Sequence, residues 1–494
     1  MPNPFAYLVL LSFPLVGVVL FRVLPLQRAL IWTLLSGHLL LPSSTYIKIP
    51  MLPQIDRSLV AAVTALLLCL LLAPKTAPAQ DIAAKSGRQA IRALVTLVLL
   101  TPIVTVLQNT EPFIEGRAFV PGLQLYDAFS MISQNVVTLI PLWLGLRYLN
   151  TRDGHKALLE ALVISAFVYT FPALVEIRLS PQLHVWVYGF FPHDFLQHMR
   201  AGGFRPLVFL NHGLMLGIYF CIAIIAAAVL YREARRESRK AWPWMAALIW
   251  LTFVLYQSKS LGAFVLAILF ALLVLLVGRR LQIVMAVGIG FIVMLYPMLR
   301  GAGLIPVDEV YNLALSISED RAASLKFRLD NEDALLHHAN AKPLAGWGSW
   351  GRNQLYDPAT GGMISTTDGS WIIFIGMYGW IGYIGWFGLL TAPILFFALR
   401  NRALGPSLVT PGLLMVLSAL LIDLVPNAFL ENYVWLIAGA VTGFVLWRDP
   451  RDVTAMAGVG GVISSAPVTA SPRAAWLMAD QPVAAPRTRR DRAR

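Results

Sequence analysis

The sequence is short of charge. Only 13% of its 494 residues are Asp, Glu, Lys or Arg, against about 25% in soluble domains. So few charges cannot cover a globular surface of this size, which excludes a water-soluble enzyme. Cysteine is nearly absent: Cys69 and Cys221 are the two, and both fall inside apolar runs. A disulfide framework or a thiolate metal centre is therefore not expected. HExxH, the GxxxxGK[ST] phosphate loop and clustered Cys/His spacings are all missing, so neither zinc hydrolysis nor P-loop chemistry has support. No internal repeat of fixed period is visible, and no inverted pair of broken apolar segments. That symmetry is common in secondary transporters. The first apolar run lacks a basic segment before it, so it reads as a span and not as a secretory signal.

What is present is apolar. Hydrophobic residues make up 57% of the chain, and they fall in runs approaching the roughly 20 residues that cross a bilayer as helix. Spans are expected near 5–21, 28–43, 58–73, 93–109, 128–146, 157–177, 207–230, 242–257, 261–278, 281–298, 370–399, 407–425 and 432–447. The fold class is an all-α polytopic membrane protein with roughly 12–13 transmembrane helices. It divides into an N-terminal bundle (1–298) with an outer loop at 178–206, a long outer loop (299–369) and C-terminal helices (370–450). The tail, 451–494, is Ala, Pro, Gly and Arg without apolar periodicity and reads as disordered.

Charge sets the orientation. The gaps on one side carry 26 of the 39 Lys and Arg residues, the terminal "RTRRDRAR" included. Short basic loops stay cytoplasmic. The tail is then inside, and segments 178–206 and 299–369 are outside.

Those two outer segments are nonetheless rich in cations. The first holds Arg178, Arg200 and Arg205 with His184, His193 and His198; the second holds Arg300, Arg321, Lys326, Arg328, Lys342 and Arg352. Basic groups on the outer face call for a partner. One reading is an anionic ligand, phosphate above all. The other is pairing with Asp308, Glu309, Glu319, Asp320, Asp330, Glu332 and Asp333. Within the second segment, Ser324 to about Asn340 lacks Gly and Pro and reads as a surface helix with Arg328, Glu332 and Leu335 on one face, ended by Pro343 and Gly346. Asp333 and His337 are the one well-spaced ligand pair there, too few for a metal. "GWGSWG" (346–351) offers Trp347 and Trp350, either for stacking on sugar or as an interfacial aromatic belt. Lys259, His212 and Asp423 are polar groups in or beside apolar spans, where burial is costly and function common. Lys259 can also snorkel, and His212 can bond a neighbouring helix.

"RLDNEDALLHHANAKPLAGWG", followed by a polar residue opening "GSWIIFIGMYGWIGYIGWFGLL", resembles the O-antigen ligase and polysaccharide polymerase superfamily. Arg328, the Pro343–Gly348 stretch and Gly376–Gly382 stand where that family has an Arg, P-x-x-G-x-G and G-x-x-G. Ser258-Lys259 stands where it has Ser-Arg or Thr-Arg. Two positions depart: Asp368-Gly369 replaces His-Asn, and Lys259 replaces Arg.

The resemblance implies a bacterial inner-membrane enzyme with its active face in the periplasm. Such an enzyme transfers a glycan from a polyprenyl-diphosphate carrier by inversion, with no metal or other cofactor. Arg328, Arg205, Arg200 and Lys259 are then candidates for holding the diphosphate, with Trp347 on the sugar. Asp368 is the candidate base, with His337 or His338 in reserve; the competing reading of Asp368 is a helix cap. The partners are the carrier-linked oligosaccharide, membrane lipid and a glycan acceptor, not nucleic acid. A polymerase in surface or exported polysaccharide assembly is favoured. A ligase onto lipid A core and a transporter of polysaccharide or lipid-linked sugar are the alternatives.

Overall fold

A computed structural model describes residues 1–49, 52–74, 84–200, 202–400 and 407–447. The tail read as disordered lies outside the described residues. Nearly all regular structure is helical. In chain order the helices are α1 (Pro4–Val23), α2 (Leu26–Leu40), α3 (Arg57–Leu72), α4 (Lys85–Leu107), α5 (Leu125–Tyr148) and α6 (Arg152–Leu179). Then come α7 (Leu183–Tyr188), α8 (Gly213–Arg236), α9 (Trp242–Gln257), α10 (Leu261–Leu276) and α11 (Arg279–Gly301). The last five are α12 (Val307–Ile317), α13 (Glu319–Asn340), α14 (Ser370–Arg400), α15 (Val409–Asp423) and α16 (Asn432–Leu446). Two small antiparallel hairpins complete the set: β1 (Phe113–Glu115) with β2 (Ala118–Val120), and β3 (Met199–Arg200) with β4 (Gly203–Phe204).

Each of the thirteen expected spans is a helix. Among the described residues seven helices, α1, α4, α5, α6, α8, α11 and α14, are long and apolar enough to cross a membrane. The chain is thus a multi-pass membrane protein by helix length and composition. Caps set several starts. The Asn3 side chain accepts from Ala6 N at 2.9 Å, Asp56 from Leu59 N at 2.9 Å, and Thr151 from Gly154 N at 3.0 Å.

Burial sorts the helices. α1 shows Phe5, Leu8, Leu11, Leu15 and Val19 on its outer side, apolar surface that suits lipid and not water. α8, α15 and α16 are buried along nearly their whole length and form the centre. They are apolar all round, as a central helix must be. α16 closes on α5 through Gly439 and Gly443, where a Cβ would run into the Leu142 and Leu146 carbonyls. Small residues let membrane helices approach this closely. At one end of α8, buried Glu233 accepts from Arg152, the Ser407 hydroxyl and Leu408 N.

α14 is broken. Gly379 has φ +63°, ψ −166°, which frees backbone groups in mid-helix. The stretch after α13 takes them up. Trp347 N donates to Gly376 O (2.8 Å), Gly348 N to Met377 O (2.9 Å), Trp380 N to Pro343 O (2.7 Å) and Ile381 N to Leu344 O (3.2 Å). Gly346 (φ +70°) and Gly379 face each other so closely that a Cβ on either meets the other strand's backbone. Non-helical backbone within an apolar helix persists only where protein satisfies it. Thr105 Oγ1 donating to Ala345 O and Asn109 Nδ2 donating to Gly346 O hold the docked loop from α4. This is what fixes α13 against α14.

Candidate functional site

Five segments meet around the start of α8. Glu176 on α6 is fully buried and accepts from Leu207 N (2.8 Å), Val208 N (2.7 Å) and Leu183 N (3.0 Å). It thereby holds Val208 at φ +58°, a conformation a β-branched residue rarely adopts. Strain of this kind persists only where the surroundings impose it, and it concentrates at functional sites. The consequence is a fixed path for 205–212, which delivers Arg205 and His212. The Arg205 methylenes pass over Gly213, where a Cβ would collide with them.

His212 caps α8. Its Nδ1 accepts from Leu214 N at 3.0 Å, which assigns the ring proton to Nε2. Burial, then the neighbouring His198, His193, Arg205 and Arg328, push its pKa down to about 2. It is neutral at physiological pH, a donor and not a base. His198 and His193 stand 4.9 and 4.8 Å from it, ring to ring, and Phe429 stacks at 6.3 Å. His198 Nε2 accepts from Gly213 N, and burial lowers its pKa to about 4. Among the described residues no group of three His, Cys, Asp or Glu is arranged to hold a metal.

Two of the expected cations, Arg205 and Arg328, bear on His212. Arg205 donates to the Lys259 carbonyl at 3.3 Å. Lys259 (φ +54°) sits in the α9–α10 turn, its ammonium against Gly203 of β4. Arg328 on α13 pairs through Nε with Asp368 Oδ2 at 3.2 Å, both about one-third exposed, and its charge is felt at His212. Thr366 N bonded to Asn331 Oδ1 at 3.0 Å lays the segment before Asp368 along α13. Asp368 precedes α14 by two residues, with its carboxylate on Arg328; Ser370 N is met by the Leu424 and Asn427 carbonyls. The Arg200 side chain lies outside the described part of the structure.

The pairing alternative accounts for other cations. Arg300 meets Asp333 at 2.9 Å and Lys326 meets Asp330 at 3.1 Å. Buried Arg352 is spent on the Pro121 and Trp347 carbonyls and Asn109. The remaining candidates fall in a second cluster. His338 stacks on Trp347 at 4.4 Å, and Lys342 Nζ stands 4.6 Å over the same indole. His338 Nε2 bonds the Arg352 carbonyl at 3.0 Å, and Trp347 Nε1 donates to His338 O. His338 and Trp347 are thus occupied in holding the docked loop, beside a polar cavity of about 550 Å³ that Gln108, Glu111 and Lys342 help to line. His337 is exposed on α13.

Two residues stand differently from their reading in the sequence. His212, singled out as a polar group beside a span that is either functional or bonded to a neighbouring helix, caps its own helix and lies near Arg205 and Arg328. Glu332, one turn after Arg328, is buried at 6% exposure, which raises its pKa to about 7. Its place on the Arg328 face was the available signal. No protein-family model matches the chain, and no curated protein matches it.

Proposed function

We propose that the chain transfers glycan units from a polyprenyl-diphosphate carrier, as a polymerase of bacterial surface or exported polysaccharide. In this reading it lies in the inner membrane, with 178–206 and 299–369 in the periplasm. One observation carries it: Arg205 and Arg328, remote in sequence, both bear on His212 at the start of a central helix, and Arg205 also bonds the Lys259 carbonyl. Cations at a helix N-terminus suit a diphosphate. As the C1–O bond breaks, charge builds on the leaving phosphate, and fixed cations there stabilise the transition state above the ground state. The His212 Nε2–H adds a neutral donor. Asp368 holds Arg328 in place. Lipid-facing helix surfaces give the carrier's tail a place to lie, which accounts for a membrane enzyme.

The test supplies purified protein with a polyprenyl-diphosphate oligosaccharide. A ladder of longer carrier-linked glycans supports the polymerase. Product formed only with added lipid A core means a ligase, and sugar moved across vesicles without chemistry means a transporter.

A further inference from the structure

We propose that Glu332 is the proton acceptor of this site. The inference rests on the glycan-transfer reading and names the base that reading requires.

Placement carries the argument. Arg328 and Glu332 are four residues apart on α13, on one helical face. Arg328 reaches Asp368, while Glu332 turns in between α11, which contributes Tyr296 and Arg300, and α14, which contributes Trp371. The cations beside it are matched elsewhere: Arg300 to Asp333, Arg328 to Asp368. Among the described residues no salt bridge reaches Glu332. The Trp371 N–H is buried beside it without a hydrogen bond of good geometry. A buried carboxyl so poorly compensated costs stability, and such groups concentrate where chemistry needs them.

The surroundings suit a base. Burial lifts the carboxyl to about 7, opposed by Arg300 and the Trp371 N–H and assisted by Asp333 and Asp368. A base poised near neutrality works best at neutral pH. Of the other candidates, one Asp368 oxygen is engaged with Arg328, His338 Nε2 with a carbonyl and His212 Nε2 with its own proton, while His337 stands exposed on α13, nine residues from Arg328 and off the face that Arg328 and Glu332 share.

The step balances without a co-reactant. The acceptor hydroxyl oxygen bonds to the donor's C1 as C1 parts from the phosphate oxygen. The electron pair of the broken bond leaves on the diphosphate, and the hydroxyl proton passes to the Glu332 carboxylate.

Full-length protein, wild type and E332Q, is compared for binding of a polyprenyl-diphosphate oligosaccharide and for transfer from it. E332Q is expected to bind within about twofold of wild type and to transfer about 100-fold slower or worse. E332D should recover part of the rate, and the wild-type rate should climb with pH to a plateau, with its midpoint near 7. E332Q transferring within about 10-fold of wild type overturns the assignment and leaves the glycan-transfer reading intact. If E332Q fails to bind, the wild-type pH profile decides: a rate flat through neutrality overturns the assignment. Wild type that neither binds nor transfers removes both.

Discussion

At the scale of the residue, the site is a set of charges distinguished by what each is bonded to. Arg328 and Asp368 stand out in the sequence because each interrupts or borders a patterned stretch. Their pairing across 40 residues is a product of the fold. Asp368→Asn removes the anion that orients Arg328. It should lower kcat/KM for the donor about 10-fold, mainly through KM, the loss of one charge-assisted hydrogen bond. A fall of more than about 1,000-fold in kcat at unchanged KM would make Asp368 the base itself. Glu332's place on the Arg328 face was legible; its burial was not, because Tyr296, Arg300 and Trp371 reach it from other helices. Its raised pKa also carries a stability signature. The folded state holds this proton more tightly than the unfolded chain, so stability present below about pH 4.5 is lost as pH rises through about 7. The cost is of the order of 3 kcal/mol at alkaline pH. Glu332→Gln never ionises, so thermal unfolding of the variant in detergent at pH 8 should occur above wild type, and the gap should close near pH 5.

At the scale of the element, hydropathy located the helices: every expected span is a helix, and seven of the thirteen are long and apolar enough to cross a membrane. The break in α14 was hidden. "G-x-x-G" and "P-x-x-G-x-G" appear in the sequence as separate glycine motifs, and only the fold joins them, loop backbone answering broken-helix backbone. The two indoles of "GWGSWG" left sugar stacking and an interfacial belt both open, and the fold puts Trp347 in the cluster that steadies this dock, between His338 and Lys342. Gly379→Ala tests the dock. This positive-φ conformation, nearly confined to glycine, costs about 1–3 kcal/mol for alanine, and the methyl would meet the Leu344 backbone. The variant should unfold at lower temperature and lose transfer, while Gly262→Ala, with open space around its Cβ position, should do neither. Equal behaviour of the two would refute the docking account.

At the scale of the whole molecule, the division of charge gave an orientation that the helices alone do not. The loops expected in the cytoplasm hold most of the Lys and Arg; of the cations expected outside, Arg300, Lys326 and Arg328 pair with carboxylates, Arg352 and Lys342 bond carbonyls and Asn109, and Arg205 bears on His212. In cells with a permeabilised outer membrane, cysteine at exposed His337 should react with an impermeant maleimide, and cysteine at exposed Arg280 should react only after lysis. The native Cys69 and Cys221 are buried and give little background. Reversed labelling would put the cationic cluster on the cytoplasmic face.

The most direct measurement is the rate of glycan transfer from a polyprenyl-diphosphate oligosaccharide by Arg328→Ala and Arg328→Lys beside wild type, in reconstituted membranes. Arg328→Ala should lose transfer while folding normally, and Arg328→Lys should restore part of it, because an ammonium keeps the charge but not the planar fork. Full-rate transfer by Arg328→Ala would contradict the claim that this cationic site grips the diphosphate.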